Sequence, residues 1–304
     1  MIVDKNGERM MKPERIRNIL HELRDQYYVT EKFQIANVYI REGKYTFSQR
    51  FEGDWRIFNT ENETWGKPDT YFWFKLTATV PESMDGKELW YAIQPREDGG
   101  FDWGNPQGLL YVNGEALQAS DSNHSSVRLT NRCRAGDVYE IYYSAYTDKM
   151  FFKTPLRFKN CLMTVDPAVL HLYWDLQVPF EVAQLLKTDD YRRHDIIYHI
   201  AEAINLLDLR SGYGTGFCRS LVKAQDWFTR EFYSKYSDKA EDVLATLVGH
   251  THIDVAWLWD LAQTRDKTEC TFTTLVYLMD EYPDFVFMSS QPQLYEFIKE
   301  VSSK

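Results

Sequence analysis

Apolar residues at Ile16, Ile19, Leu20 and Leu23 recur at three- and four-residue spacing, which predicts an amphipathic helix over about 12–26. The pattern then shortens. From about 27 to 160 it reads as short strands at 71–80, 88–94, 108–112, 126–130 and 138–146. Turn signals separate them: Ser83-Met84-Asp85-Gly86, Asp98-Gly99-Gly100, Asn113-Gly114 and Ala135-Gly136-Asp137. Asn113-Gly114 is the clearest of these, because both residues tolerate the positive φ of a two-residue hairpin turn. Strands of this length at this spacing suggest a β-sandwich or jelly roll.

Helical spacing returns from about 165 to 240. Asp166-Pro167 predicts a helix start, with Asp as N-cap and Pro in the first turn. Pro179 is expected to kink or end that helix. Two more helices are expected over about 188–208 and 216–236, joined by Ser211-Gly212-Tyr213-Gly214-Thr215-Gly216. That loop contains G-x-G, yet no apolar strand precedes it and no GKS or GKT follows, so it reads as a plain linker. Arg192, Arg193, His194 and Asp195 read as a solvated helix face. The last 60 residues change again: an apolar run at 243–249, a helix over about 259–281, a short strand at 285–288 and a helix over about 292–302. This β-α-β-α order predicts parallel strands with helices outside them. The fold class is therefore α+β multidomain: a helix over 1–26, a β-sandwich or jelly roll over 27–164, a helical linker over 165–241, and the first two βα units of an incomplete (β/α) barrel-like domain over 242–304.

Composition narrows the function. The net charge is −10 with no basic stripe, which argues against a nucleic-acid partner. Aromatic residues make up 15% of the chain, a level common where sugars or large β cores are packed. Cys133, Cys161, Cys218 and Cys270 lack C-x-x-C spacing and read as reduced thiols. The segment Met1 to Lys12 has no apolar stretch of a signal peptide, and no run approaches a membrane span. A cytoplasmic protein without a membrane partner is expected. A homo-oligomer is compatible with these features.

The candidate chemistry lies at His250-Thr251-His252-Ile253-Asp254, after the apolar run. In a strand these three potential ligands would share a face, whereas a helix would align only His250 and Asp254. Imidazole and carboxylate suit zinc and also manganese, iron, cobalt or nickel. Ligands at the end of a first parallel strand agree with the placement of sites in α/β folds. Gln291 and Gln293 follow the second strand and could line a pocket. Arg265 could pair with a carboxylate or lie on a solvated face. Asp121 and His124, past the Asn113-Gly114 hairpin, could pack against the last segment or stabilise a turn.

Gly249-His250-Thr251-His252-Ile253-Asp254-Val255-Ala256-Trp257-Leu258-Trp259 resembles the entry motif of the glycoside hydrolase family 38 α-mannosidases. Arg265 and Lys267, Met279-Asp280-Glu281-Tyr282-Pro283, and Phe287-Met288-Ser289-Ser290-Gln291-Pro292-Gln293-Leu294-Tyr295-Glu296 continue the likeness. Trp65-Gly66, Trp73-Phe74, Val80-Pro81, Tyr111-Val112-Asn113-Gly114 and Asp121-x-x-His124 resemble the N-terminal, galactose-binding-like β domain of the cytosolic and bacterial branch. Asp260 departs from the pattern, since relatives often have an uncharged residue there. The resemblance implies retaining hydrolysis of terminal α-linked mannose from α-mannosides and oligosaccharides. It implies a divalent metal, usually zinc, with His252 and Asp254 as ligands and His250 as a neighbour outside the ligand set. It assigns Trp257 to stacking on the bound sugar, and Gln291 is a further substrate-binding candidate. No catalytic carboxylate is assigned in this chain: nucleophile and acid/base are expected beyond Lys304, so the chain alone is expected to be inactive. Two alternatives are a non-catalytic carbohydrate-binding or structural fragment, and another metal-dependent hydrolase. Amidohydrolases share H-x-H but lack the tryptophans, and metallo-β-lactamase-like enzymes place histidine where Val255 stands.

Overall fold

A computed structural model describes residues 11–49, 53–94, 106–121, 124–149, 156–210, 212–237 and 245–301. Asp98-Gly99-Gly100 and residues 243–244 of the predicted strand lie outside them. The chain forms two compact units, Met1–Lys32 with Thr164–Leu244 and Phe33–Met163 with Ala245–Lys304, and the division falls within β1 and β10 as defined below. The first unit opens with α1, Pro13–Glu22, which runs on as a π-helical turn over Leu23–Tyr27. Proline in the first turn costs nothing, because its missing N–H would have no helical partner there.

The second unit is a β-sandwich. Its strands are β1 (Val29–Gln34), β2 (Val38–Glu42), β3 (Arg56–Phe58), β4 (Thr70–Thr79), β5 (Leu89–Gln94), β6 (Gln107–Val112), β7 (Glu115–Ser120), β8 (Ser126–Thr130), β9 (Val138–Thr147) and β10 (Lys159–Val165). Six form a sheet in the order β3-β2-β4-β9-β6-β7, and four form a second in the order β1-β10-β5-β8. Val112 pairs with Glu115 across Asn113 (φ 50°) and Gly114 (φ 94°), so this hairpin turn forms as predicted. Between the sheets lie Phe74, Leu110 and Tyr143 from one side and Tyr91, Val127 and Leu162 from the other. Phe74 stacks on Phe158 at 4.1 Å. The outer face of the six-stranded sheet is also covered: Trp73, Leu109, Tyr111 and Tyr142 are buried there beneath Phe47, Trp55 and Cys270. A sheet buried on both faces loses the apolar–polar alternation that marks a strand. The sequence reading names five of the ten strands, among them β4, β6 and β9, which carry these residues.

The helices that follow are α2 (Pro167–Leu185), α3 (Tyr191–Asn205), α4 (Thr215–Phe228) and α5 (Ser234–Ser237), with a π-helical turn over Thr229–Tyr233 between the last two. The Asp166 side chain caps α2 by accepting from the Ala168 N–H. α1, α2, α3 and α4 share one core, built on Ile16, Leu20, Leu172, Leu176, Ile200, Leu221 and Phe228. Helices α2 to α4, in the segment read from sequence as a linker, thus pack with the N-terminal helix. Pro179 does not end α2, which continues six residues beyond it. Proline lacks the N–H that would bond the Asp175 carbonyl, and the Tyr233 hydroxyl donates to that carbonyl at 3.3 Å instead. The face carrying Arg193 and Asp195 is not simply solvated. Arg193 Nη1 donates to the carbonyls of Ala183 and Leu186, closing the end of α2. Asp195 accepts from Lys235 and Tyr236. No helix among the described residues is long and apolar enough to cross a membrane.

The last segment contains α6 (Leu261–Glu281) and α7 (Pro292–Val301). The two expected parallel strands are reduced to one bridge, Gly249 with Phe287. Gly249 N donates to the Val286 carbonyl at 2.7 Å, and Met288 N donates to the Gly249 carbonyl at 3.0 Å. Residues 245–248 are not a strand. Parallel strands persist when both faces are covered, whereas Leu247 is 86% exposed. Among the described residues no closed barrel is formed. α6 instead lies on β6 and β7. Asp266 accepts from the Tyr71 hydroxyl at 2.5 Å and from Lys44 at 3.1 Å. Ala119 N donates to Thr274 Oγ1 at 2.9 Å, Arg128 N to the Tyr277 hydroxyl at 3.1 Å, and Arg128 pairs with Glu281.

Candidate active site

The motif hangs between α6 and α7, and one residue sets its orientation. Ile253 is 6% exposed and packs with Phe272, Leu294 and Phe297. His252 and Asp254 flank this buried residue, and His252 Nε2 lies 3.0 Å from Asp254 Oδ1. His250 is exposed, one residue beyond the Gly249 bridge. Because residues 250–254 are not a strand, the shared face expected for all three does not arise from strand pleating, and the pair converges without it.

The backbone around the pair is held by side chains. Ile253 N donates to Gln291 Oε1 at 3.0 Å, and Gln291 Nε2 donates to the Ile253 carbonyl at 2.7 Å. Trp259 Nε1 donates to the Asp254 carbonyl at 3.1 Å. The Lys267 ammonium sits 4.3 Å from the Trp259 ring centroid, and burial lowers its pKa. Ala256 takes a left-handed turn (φ 56°) and donates its N–H to Thr264 Oγ1 at 3.1 Å. Asp260, the departure from the family pattern, caps α6 by accepting from Gln263 N at 2.9 Å.

The remaining candidates are placed as follows. Trp257 is 58% exposed and meets Trp259 edge-on at 5.7 Å. Arg265 pairs with Glu300 on α7 and stacks over Phe297, so it does not serve the His252–Asp254 pair. Asp121 closes its turn by accepting from His124 N at 2.8 Å, and its side-chain bond to the imidazole raises the His124 pKa. The clamp roles of Gln291, Trp259 and Thr264 were missed from sequence. A Gln directly before a helix-starting proline was the available signal, since an amide there is free to reach another backbone.

The donor set fits a divalent metal in part. Two ligands about 2.0–2.2 Å from one ion at ordinary angles lie roughly 3 Å apart, the separation at which His252 Nε2 and Asp254 Oδ1 meet here as a hydrogen-bonded pair. Among the described residues no group of three or more His, Cys, Asp or Glu is arranged to hold an ion. The pair would supply two positions of a coordination sphere.

Comparison with known proteins finds relatives over most of the chain. Residues 242–304 match the model of the glycosyl hydrolases family 38 N-terminal domain, and residues 31–176 match that of the α-mannosidase jelly roll domain. Alpha-mannosidase G of Dictyostelium discoideum is 26% identical over 263 residues, covering 78% of this chain and 22% of its own length. Alpha-mannosidase 2C1 of Homo sapiens is 26% identical over 244 residues, covering 75% and 22%. The alpha-mannosidase of Saccharomyces cerevisiae is 30% identical over 264 residues, covering 79% and 23%. The chain thus spans under a quarter of the length of these curated relatives. An α-mannosidase jelly roll model followed by the opening of a family 38 N-terminal domain model makes the chain similar, over two successive segments, to the family 38 glycosyl hydrolases.

Proposed function

We propose that this chain is part of a retaining α-mannosidase that removes terminal α-linked mannose from oligosaccharides, with a divalent metal, zinc in the first instance, held in part by His252 and Asp254. The observation that carries the proposal is the convergence of His252 Nε2 and Asp254 Oδ1 at 3.0 Å within the segment matched by the family 38 model. The metal would orient the sugar hydroxyls and stabilise developing charge. The exposed Trp257 ring would carry an apolar sugar face. Gln291 acts on backbone, so a direct substrate contact is the weaker use of it. Retaining chemistry needs two carboxyl groups about 5 Å apart. We place both beyond Lys304, since the relatives named α-mannosidase are more than four times as long as the part matched here. This chain alone then has no turnover. We further propose a cytoplasmic location, consistent with four free cysteines.

The tests are direct. In the longer protein, His252→Ala and Asp254→Ala should each lower release of 4-nitrophenol from its α-mannoside by at least about a hundredfold. Normal activity in either variant would remove the metal assignment. Enzymatic turnover by the 304-residue chain would refute its inactivity.

A further inference from the structure

A metal site is only as good as the backbone that presents its ligands. Both proposed ligands stand on an irregular segment with side chains 64% and 50% exposed, so their own packing does not fix them. The residue between them is fixed at three points. Its side chain is buried between α6 and α7, its N–H is accepted by Gln291 Oε1, and its carbonyl is bonded by Gln291 Nε2. A carboxamide that answers both polar groups of one residue does the work of a neighbouring β-strand. It stands in line with the bridge between Gly249 and Phe287, where backbone pairing stops.

We propose that Gln291 is a positioning residue for the metal-ligand pair: its carboxamide replaces the missing strand partner of Ile253 and thereby aims His252 and Asp254 at one point. This rests on the metal reading above for its purpose, though not for its geometry. The two bonds fix which way the amide lies, because the flipped amide would set donor against donor and acceptor against acceptor. Gln293, two residues on, is exposed and has no such arrangement in the helix that follows. The role is thus specific to position 291 and not to the glutamines of the segment.

The experiment uses the 304-residue chain with Gln291→Leu and Gln291→Glu. Amide exchange at Ile253 is followed by NMR, and Co2+ binding is followed by its visible spectrum and by paramagnetic broadening at His252. In Gln291→Leu, Ile253 should exchange roughly tenfold faster. Co2+ affinity should fall about 10- to 100-fold, the usual effect of losing support behind a ligand. Gln291→Glu gives a signature that loss of packing would not. When ionised, its carboxylate can still accept from the Ile253 N–H but repels the Ile253 carbonyl in place of donating to it, so the two-point hold is broken and protection falls. When protonated, it can again donate to that carbonyl and accept from the N–H, so protection corrected for intrinsic rate should return in acid. Unchanged Ile253 exchange in Gln291→Leu overturns the proposal, as does lost protection with unchanged Co2+ affinity. If the wild-type chain takes no Co2+ at His252, the metal reading falls. The clamp is then decided by Ile253 protection and its return in acid alone.

Discussion

Gly108 in β6 is a position where one methyl group should be decisive. A Cβ built there would lie 2.1 Å from the Tyr143 hydroxyl oxygen, 2.2 Å from Cζ and 2.3 Å from Cε2. Relief requires a shift of roughly 1 Å, which a close-packed interior resists. Tyr143 is fully buried, with Phe74 at 6.2 Å and Phe158 at 6.0 Å. The backbone is equally constrained, because Gly108 pairs with Ala145 of β9 and Ser120 of β7. Overpacking of this kind costs about 1–3 kcal/mol and sometimes more, so Gly108→Ala should destabilise the sandwich by about 2–4 kcal/mol. Tyr143→Leu shortens the obstructing side chain at the cost of a cavity. In that background Gly108→Ala should cost less than about 1 kcal/mol, giving a coupling of at least about 1 kcal/mol. Urea unfolding followed by tryptophan fluorescence gives the totals. Amide exchange at β6 and β9 shows which unit yields, since two units need not unfold together. A single variant within about 0.5 kcal/mol of wild type would refute the reasoning, as would an equal cost in both backgrounds.

Three further outcomes are expected. Burial, with the nearby Asp266 charge adding to it, raises the Glu269 pKa. The unfolded carboxyl releases its proton first, so the group subtracts stability as pH rises from the unfolded value through the folded one. Glu269→Gln should therefore stabilise the sandwich unit at pH 7 and leave it unchanged near pH 3, and thermal melts showing the reverse order would contradict the assignment. Thr264→Val keeps shape but removes the acceptor of the Ala256 N–H and the donor to the Asp260 carbonyl, so a loss of about 0.5–1.5 kcal/mol is expected by denaturation. Asp166→Ala should cost the helical unit about 1 kcal/mol through its lost cap, with Asp166→Asn restoring most of it; equal losses in both variants would point to the Tyr213 hydroxyl bond instead.

The sequence speaks most clearly where chemistry is local. Asn113-Gly114 and Asp166-Pro167 announce a turn and a cap because the conformations they favour need no distant partner. The helix continuing through Pro179 was illegible, since its repair comes from Tyr233, 54 positions away in the numbering. The apolar run before Gly249 resembled a buried strand, but composition carries no record of whether neighbours exist to bury it. At the site, residue types and spacing named the ligand candidates. That His252 and Asp254 converge follows from the inward turn of Ile253 and the reach of Gln291, which only tertiary structure supplies.

Both units are discontinuous in sequence. Residues 33–163 interrupt the helical unit, and residues 164–244 interrupt the sandwich unit. During synthesis α1 must wait for α2, α3 and α4 before its Ile16 and Leu20 face is covered, and the β-strands must wait for α6 before the outer side of β6 and β7 is closed. A single cut cannot liberate either unit whole. Excising residues 33–163 would leave α6 without its β-sheet bed, and joining residue 32 to residue 164 would be the shortest route to an isolated helical unit. Protein engineering on this scaffold is therefore a matter of splicing chain ends, not of trimming them.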